Sequence, residues 1–159
     1  MKITLDTNIF PVEDLLEACC GWGWDFAVVS VTERELDNTD LLVELKPLGN
    51  IIETAVYGES KYGMAKYGSK ETQSDREEIL AIITDGSYPK NRQNLSKGHR
   101  RQLRDSMIFH THVQERRDIF VTNDERGFIR DGRRERLQRR FNTLIMTRGE
   151  FIAYCKKIR

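Results

Sequence analysis

Four carboxylates recur along this chain in settings that suit a shared chemistry. Asp6 follows the apolar run Lys2-Ile3-Thr4-Leu5, and Glu35 lies in Val31-Thr32-Glu33-Arg34-Glu35-Leu36. Asp105 opens Asp105-Ser106-Met107-Ile108, and Asp124 closes Phe120-Val121-Thr122-Asn123-Asp124. Asp6 and Asn8 each have a simple local reading, because short polar side chains cap the free N–H groups of a turn or helix start. A second reading arises if the strands run parallel, since functional groups in open α/β sheets collect beyond the carboxyl ends of the strands. Three or four acids at one sheet edge repel one another, and a hard divalent cation with oxygen ligands compensates. Mg²⁺ suits such a site because it needs only one or two protein carboxylates and keeps waters for substrate phosphates. A pair of such ions activates a water and stabilises the leaving oxygen of a phosphodiester.

The elements that position these acids follow from residue patterning. Lys2–Leu5 reads as a short strand, and residues 11–18, with proline and acids at the start, as a helix ending near Gly21. Phe26–Val31 is a nearly continuous apolar run, the pattern of a strand buried on both faces. Thr32 caps the next helix, with Glu35 three residues on as in a capping box. Short strands are predicted at 50–54, 118–122 and 143–146, and helices at 75–84, 99–115, 133–140 and 148–157. Strands alternating with helices predict a three-layer α/β/α sandwich around a mainly parallel sheet. At 159 residues the chain reads as one domain, 1–159.

Residues 57–74 stand apart. Tyr57-Gly-Glu-Ser-Lys61, Tyr62-Gly-Met-Ala-Lys66 and Tyr67-Gly-Ser-Lys70 share a five-residue period that matches neither strand nor helix, so a mobile surface segment is expected. Its tyrosines and lysines suit base stacking and phosphate neutralisation, or simply a solvated loop. No apolar run is long enough to span a bilayer, and Asp6, Glu13 and Asp14 interrupt any secretory pattern. Cys19, Cys20 and Cys155 lack metal-ligand spacing and read as reduced thiols, so a cytoplasmic protein is expected.

Taken together, strand-Asp6-Thr7-Asn8, Thr32–Leu36, Asp105–Ile108 and Phe120–Asp124 resemble the PIN-domain nucleases in order and spacing. The resemblance implies a metal-dependent endoribonuclease with Mg²⁺ or Mn²⁺ held by Asp6, Glu35, Asp105 and Asp124, and with Thr7, Asn8 and Thr122 orienting ligands or water. Glu33 competes with Glu35 for the second position, and Leu36 turned to the core favours Glu35. Further implications are a toxin or RNA-processing role, an antitoxin-like protein inhibitor and a homodimer. The alternatives are a non-catalytic RNA-binding or assembly module of the same fold and a structure-specific DNA nuclease. The stretch from Lys46 to Arg104 is longer than in compact members of that family.

The net charge of +1 conceals a division. Residues 1–89 hold seven Lys/Arg against seventeen Asp/Glu, whereas residues 90–159 hold nineteen against eight. Arg100, Arg101 and Arg104 precede Asp105, and Arg133, Arg134 and Arg136 follow Asp124, flanking the acids with cations suited to a nucleic-acid backbone. Arg133–Arg140 reads equally well as an ordinary exposed helix. His110 and His112, two apart on a helix, point to different faces, which predicts a surface or interface role rather than a shared metal.

Overall fold

The computed structural model describes residues 1–37, 39–60 and 65–158. Five strands form one parallel sheet: β1 (Lys2–Leu5), β2 (Asp25–Val29), β3 (Gly49–Ile51), β4 (Ile119–Val121) and β5 (Leu144–Met146), in spatial order β3-β2-β1-β4-β5. The chain leaves β1 in one direction to build β2 and β3, then crosses back to build β4 and β5. The order therefore reverses between β1 and β4, and a crevice opens at their carboxyl ends. The expected three-layer α/β architecture is present, with the sheet all parallel.

Side-chain alternation on the strands divides the core. Ile3, Leu5, Val28, Ile119 and Val121 face α1 (Glu13–Ala18) and α6 (Arg148–Ile158), meeting Leu15, Phe151 and Cys155. Val29, Phe120 and Ile145 face the other way, onto a larger cluster built by α2 (Ser30–Leu36), α3 (Lys70–Ile83), α4 (Lys97–Gln114) and α5 (Arg133–Phe141). At the amino-terminal edge, Arg117 ties the sheet together through the Ile3 carbonyl (2.9 Å) and the Asp25 carboxylate (3.0 Å). Among the described residues no helix is long and apolar enough to cross a membrane.

Several boundaries differ from expectation. Strand β2 ends at Val29, and the helix begins at Ser30 with no side-chain cap, so Thr32 lies inside the helix, wholly buried. The Ser30 hydroxyl accepts instead from the Glu53 N–H (3.1 Å). Helix α3 starts at Lys70, five residues earlier than predicted, because Ser69 caps it by accepting from the Thr72 N–H (3.2 Å). The mobile segment expected over 57–74 is thus overturned in its last third. Its base is tethered too: Lys66 N–H donates to the Glu53 carbonyl (2.8 Å) and Ala55 N–H to the Lys66 carbonyl (2.7 Å). The middle of the repeat, 61–64, lies outside the described residues.

The surface role expected for His110 and His112 is also corrected. Both are buried, because α4 packs against the sheet on one side and α3 on the other and leaves no solvent-facing stripe from Ser106 to His112. His112 bridges the Thr4 hydroxyl (2.8 Å) and the Thr143 hydroxyl (2.6 Å), pinning α4 to β1 and the start of β5. Burial, with the Arg117 charge adding, holds its pKa down at about 3. Burial and the Arg76 charge hold His110 at about 4.

Candidate active site

Strand β1 ends at Leu5, but the Asp6 N–H still donates to the Val121 carbonyl (3.0 Å), so Asp6 lies at the β1/β4 switch point. The Asp6 side chain accepts from the Thr7 N–H (2.8 Å) at the start of a short helical turn. The local capping reading is therefore correct as far as it goes. The other carboxylate oxygen accepts from the Thr122 hydroxyl (2.6 Å) and the Asn8 amide (2.8 Å). Three hydrogen bonds stabilise an ionised carboxylate, yet the pKa of Asp6 is raised from 3.8 to about 6. Burial is the largest cause, and the charges of Glu35 and Asp124 add to it.

The other three acids arrive from separate elements. Asp105 projects from the middle of α4, is only 9 % exposed, and meets no hydrogen-bond donor among the described residues. Burial raises its pKa, and the charges of Asp6, Asp124 and Glu35 raise it further against the opposing effect of Arg101. Glu35, in the last turn of α2, accepts from the Thr7 hydroxyl (2.6 Å), and Arg104 stands 3.9 Å away. Asp124 follows β4 and accepts from the Arg126 N–H (3.1 Å) and Gly127 N–H (3.0 Å) of a single wide helical turn, Glu125–Ile129. The charges of Glu35 and Asp124 thus lie near enough to Asp6 and Asp105 to raise the proton affinity of those two carboxylates. The competing Glu33 is turned away and accepts from the Asn50 amide on β3 (2.5 Å).

Thr7, Asn8 and Thr122, the residues to which the resemblance assigned an orienting role, hydrogen-bond to the acids. Thr7 links Asp6 to Glu35, and Thr122 links Asp6 to Asp124, whose N–H donates to its hydroxyl (3.0 Å). The Asn8 side-chain amide oxygen accepts from the Asn123 N–H (2.7 Å), and the Asn123 side chain accepts from the Arg148 N–H at the start of α6 (3.1 Å). Asn123 and Gly127 were not singled out from sequence. A Cβ at Gly127 would sit 2.7 Å from the Asp124 carboxylate, so only glycine lets that carboxylate fold back onto the turn. Its signal in the sequence is a glycine three residues beyond the acid.

The oxygen-only donor set suits a hard divalent ion. Among the described residues no three His, Cys, Asp or Glu side chains lie close enough to hold one ion between them. An ion at this edge would therefore be held by no more than one or two carboxylates, with waters completing its shell, a coordination that Mg²⁺ accepts. Two buried carboxylates with elevated pKa values, one without a donor, are what a bound cation would relieve.

An open cleft of about 780 Å³ lies beside Asp105 and Asp124, and Arg101, Arg126, Arg130 and Arg133 also line it. Of the six arginines expected to face a polyanion, only Arg101 and Arg133 reach this cleft. Arg133 and Arg136 are paired with Asp85 (2.5 and 3.3 Å), and Arg134 with Glu150 (2.9 Å). Arg100 and Arg104 clasp Glu59 (2.8 and 2.9 Å). Arg133, Arg134 and Arg136, expected either to face a polyanion or to form an ordinary exposed helix, are thus each paired with an acid distant in sequence. Arg126 joins the cleft instead. Neither Arg101 nor Arg126 has an acidic partner among the described residues. No family model matches the chain, and no curated protein matches it either.

Proposed function

We propose that this chain is a PIN-like, metal-dependent endoribonuclease that hydrolyses RNA phosphodiester bonds. One observation carries the reading: four carboxylates from four separate elements converge at the carboxyl edge of a parallel sheet, at its switch point, beside an arginine-lined cleft. Asp6, Asp105 and Asp124 would hold Mg²⁺ or Mn²⁺ one or two carboxylates to an ion, waters completing the shell, with Glu35 as a further ligand or as the base for the attacking water. When bound, the ion supplies an activated water and charge stabilisation at the leaving oxygen. Thr122 and Asn8 fix the Asp6 carboxylate, and Thr7 fixes both Asp6 and Glu35, so the acids meet a scissile phosphate already oriented. Arg101 and Arg126 neutralise flanking phosphates without reading sequence. The resemblance also implies an antitoxin-like inhibitor and a second copy of the chain as partners, and a toxin or processing role.

The test is cleavage of matched RNA and DNA strands with Mn²⁺ by the wild type, Asp6→Asn and Asp124→Asn. Loss of RNA cleavage in both folded variants is expected, and retained cleavage refutes the assignment of the acids. Preferential cutting of DNA replaces the substrate and keeps the mechanism. A non-catalytic RNA-binding module is the second reading, favoured by the lack of three potential ligands within reach of one ion. Calorimetric titration with Mn²⁺ separates the two, since the module takes up no ion.

A further inference from the structure

Helix α4 presents two different faces to solvent. Gly98, Arg101, Gln102 and Asp105 line the cleft described above, whereas Arg100 and Leu103, nearly half a turn round the helix, line a second depression of about 660 Å³. Its other walls come from α3, from the segment after β3 and from the connection between α3 and α4. Three arginines line it: Arg76, Arg92 and Arg100. Its two acids are already committed. Glu59 is held between Arg100 and Arg104, and Glu77 pairs with Arg92.

Arg76 is the exception. Only 6 % of it is exposed, and its Nε and Nη1 find no hydrogen-bond partner among the described residues. Burial lowers its pKa, which the neighbouring Glu77 partly offsets and Arg92 reinforces. Its other titratable neighbour, His110, is a neutral imidazole whose Nε2 is likewise unpartnered, so it offers no compensating charge. A buried guanidinium with every nearby acid already paired is costly, and an anion entering from the depression removes the cost. The planar fork of donors matches the oxygens of a phosphate. At the rim stands Tyr57, its ring fully exposed and free to stack on a base.

We propose that this depression is a nucleotide-phosphate subsite, in which Arg76, flanked by Arg92 and Arg100, grips the phosphate while the base lies against Tyr57. The subsite lies on the opposite face of α4 from the acidic cleft and does not rest on the nuclease reading. The nucleotide is either free or part of an RNA strand, and both offer the same phosphate to Arg76.

Calorimetry on the full chain, without divalent ions and at fixed chloride, tests this with adenosine 5′-monophosphate, adenosine, inorganic phosphate and a short RNA lacking a terminal phosphate. The monophosphate and inorganic phosphate are expected to bind, and adenosine is not. Arg76→Met weakens the monophosphate about tenfold or more, the scale of lost charge-assisted hydrogen bonds. Arg92→Gln, at a partly exposed position that leaves folding intact, weakens it severalfold. Tyr57→Ala weakens the nucleotide and leaves inorganic phosphate unchanged. Tighter binding of the RNA than of the monophosphate, lost in Arg76→Met, supports a strand-binding subsite, and the reverse order supports a free or terminal nucleotide. Equal binding of adenosine and its monophosphate, or affinities that neither arginine variant changes, overturns the proposal. The Asp6→Asn background leaves these results as they are, so this subsite and the nuclease reading fail separately.

Discussion

Asp6→Asn separates the two readings of Asp6 by stability alone. If Asp6 merely caps the turn that follows β1, asparagine serves nearly as well, and any loss is under about 1 kcal/mol at every pH. The structure demands something different. The rise in pKa from 3.8 to about 6 means that the ionised side chain is destabilised in the fold by about 3 kcal/mol. Asparagine removes that charge and gives up about 1 kcal/mol, because an amide NH₂ replaces the oxygen that receives Thr122 and Asn8. The net gain is about 2 kcal/mol, or roughly 4–8 °C in Tm for a domain of this size. The sign follows from proton linkage. Between pH 3.8 and about 6 the folded protein holds a proton that the unfolded chain has lost, so the wild type loses stability as pH rises through this window and stays lower above it. The variant should therefore be the more stable at pH 8 in chelator, with the advantage gone below pH 4. Thermal denaturation at the two pH values measures this directly. A variant less stable than wild type at pH 8, by the same small amount as at pH 4, leaves Asp6 as a cap and removes the electrostatic basis of the site. Excess Mn²⁺ should then reverse the order, since a ligand at a hundred times its Kd stabilises the wild type by about 2.7 kcal/mol and the variant hardly at all.

Three further outcomes are expected. Gly127→Ala should displace the Asp124 carboxylate, which a Cβ would approach to 2.7 Å, and abolish cleavage, while circular dichroism shows a folded protein. Replacing Arg101 and Arg126 with alanine should reduce the slope of log affinity for single-stranded RNA against log salt by about 1.4, whereas replacing the paired Arg134 and Arg136 should leave it unchanged. His112, held neutral down to about pH 3, makes the fold lose stability as pH falls below 6.5, because the unfolded chain takes up a proton that the folded one refuses. At pH 5 this amounts to about 2 kcal/mol. A His112→Gln variant should show a correspondingly flatter decline between pH 6.5 and 5 in urea titrations, and an unaltered slope would place the titrating group elsewhere.

The strands, and the places of Asp6 and Asp124 just past two of them, were legible because each rests on a local pattern, whereas Glu35 and Asp105 lie within helices. Parallel strands buried on both faces appear as apolar runs, and an acid just past such a run marks a carboxyl end. What escaped depends on packing across the chain. Val31 and Thr32 continue the β-branched run of β2, so local preference extends the strand, but Val31 joins the α3–α4 core and Thr32 turns toward Thr7. Tertiary contacts overrode propensity there. A spacing of two residues sends His110 and His112 to different sides of α4, which would expose one of them on a surface helix. Helix α4 is central, so both sides are interior. Gly127 reads as one more turn residue until the Asp124 carboxylate is seen lying against it.

The opposed charges of the two halves left two arrangements open, and their resolution bears on function. A balance of −10 before residue 90 and +11 after it allows either a basic surface beside an acidic one or two halves interleaved by the fold. The fold uses the second half to neutralise the first: Arg92 meets Glu77, Arg100 and Arg104 meet Glu59, Arg117 meets Asp25, Arg133 and Arg136 meet Asp85, Arg140 meets Glu78, and Arg148 meets Asp14. The exposed ones among these pairs contribute little stability one by one, but together the pairs remove most of the apparent polyanion-binding surface. What matters is the remainder. Among the arginines lining the two depressions beside α4, Arg101, Arg126 and Arg76 have no acid within salt-bridge distance among the described residues, and Asp105, in the first depression, has no hydrogen-bond donor among them. In the proposed reading these groups would find their partners outside the chain, cations for the acids and phosphates for the arginines.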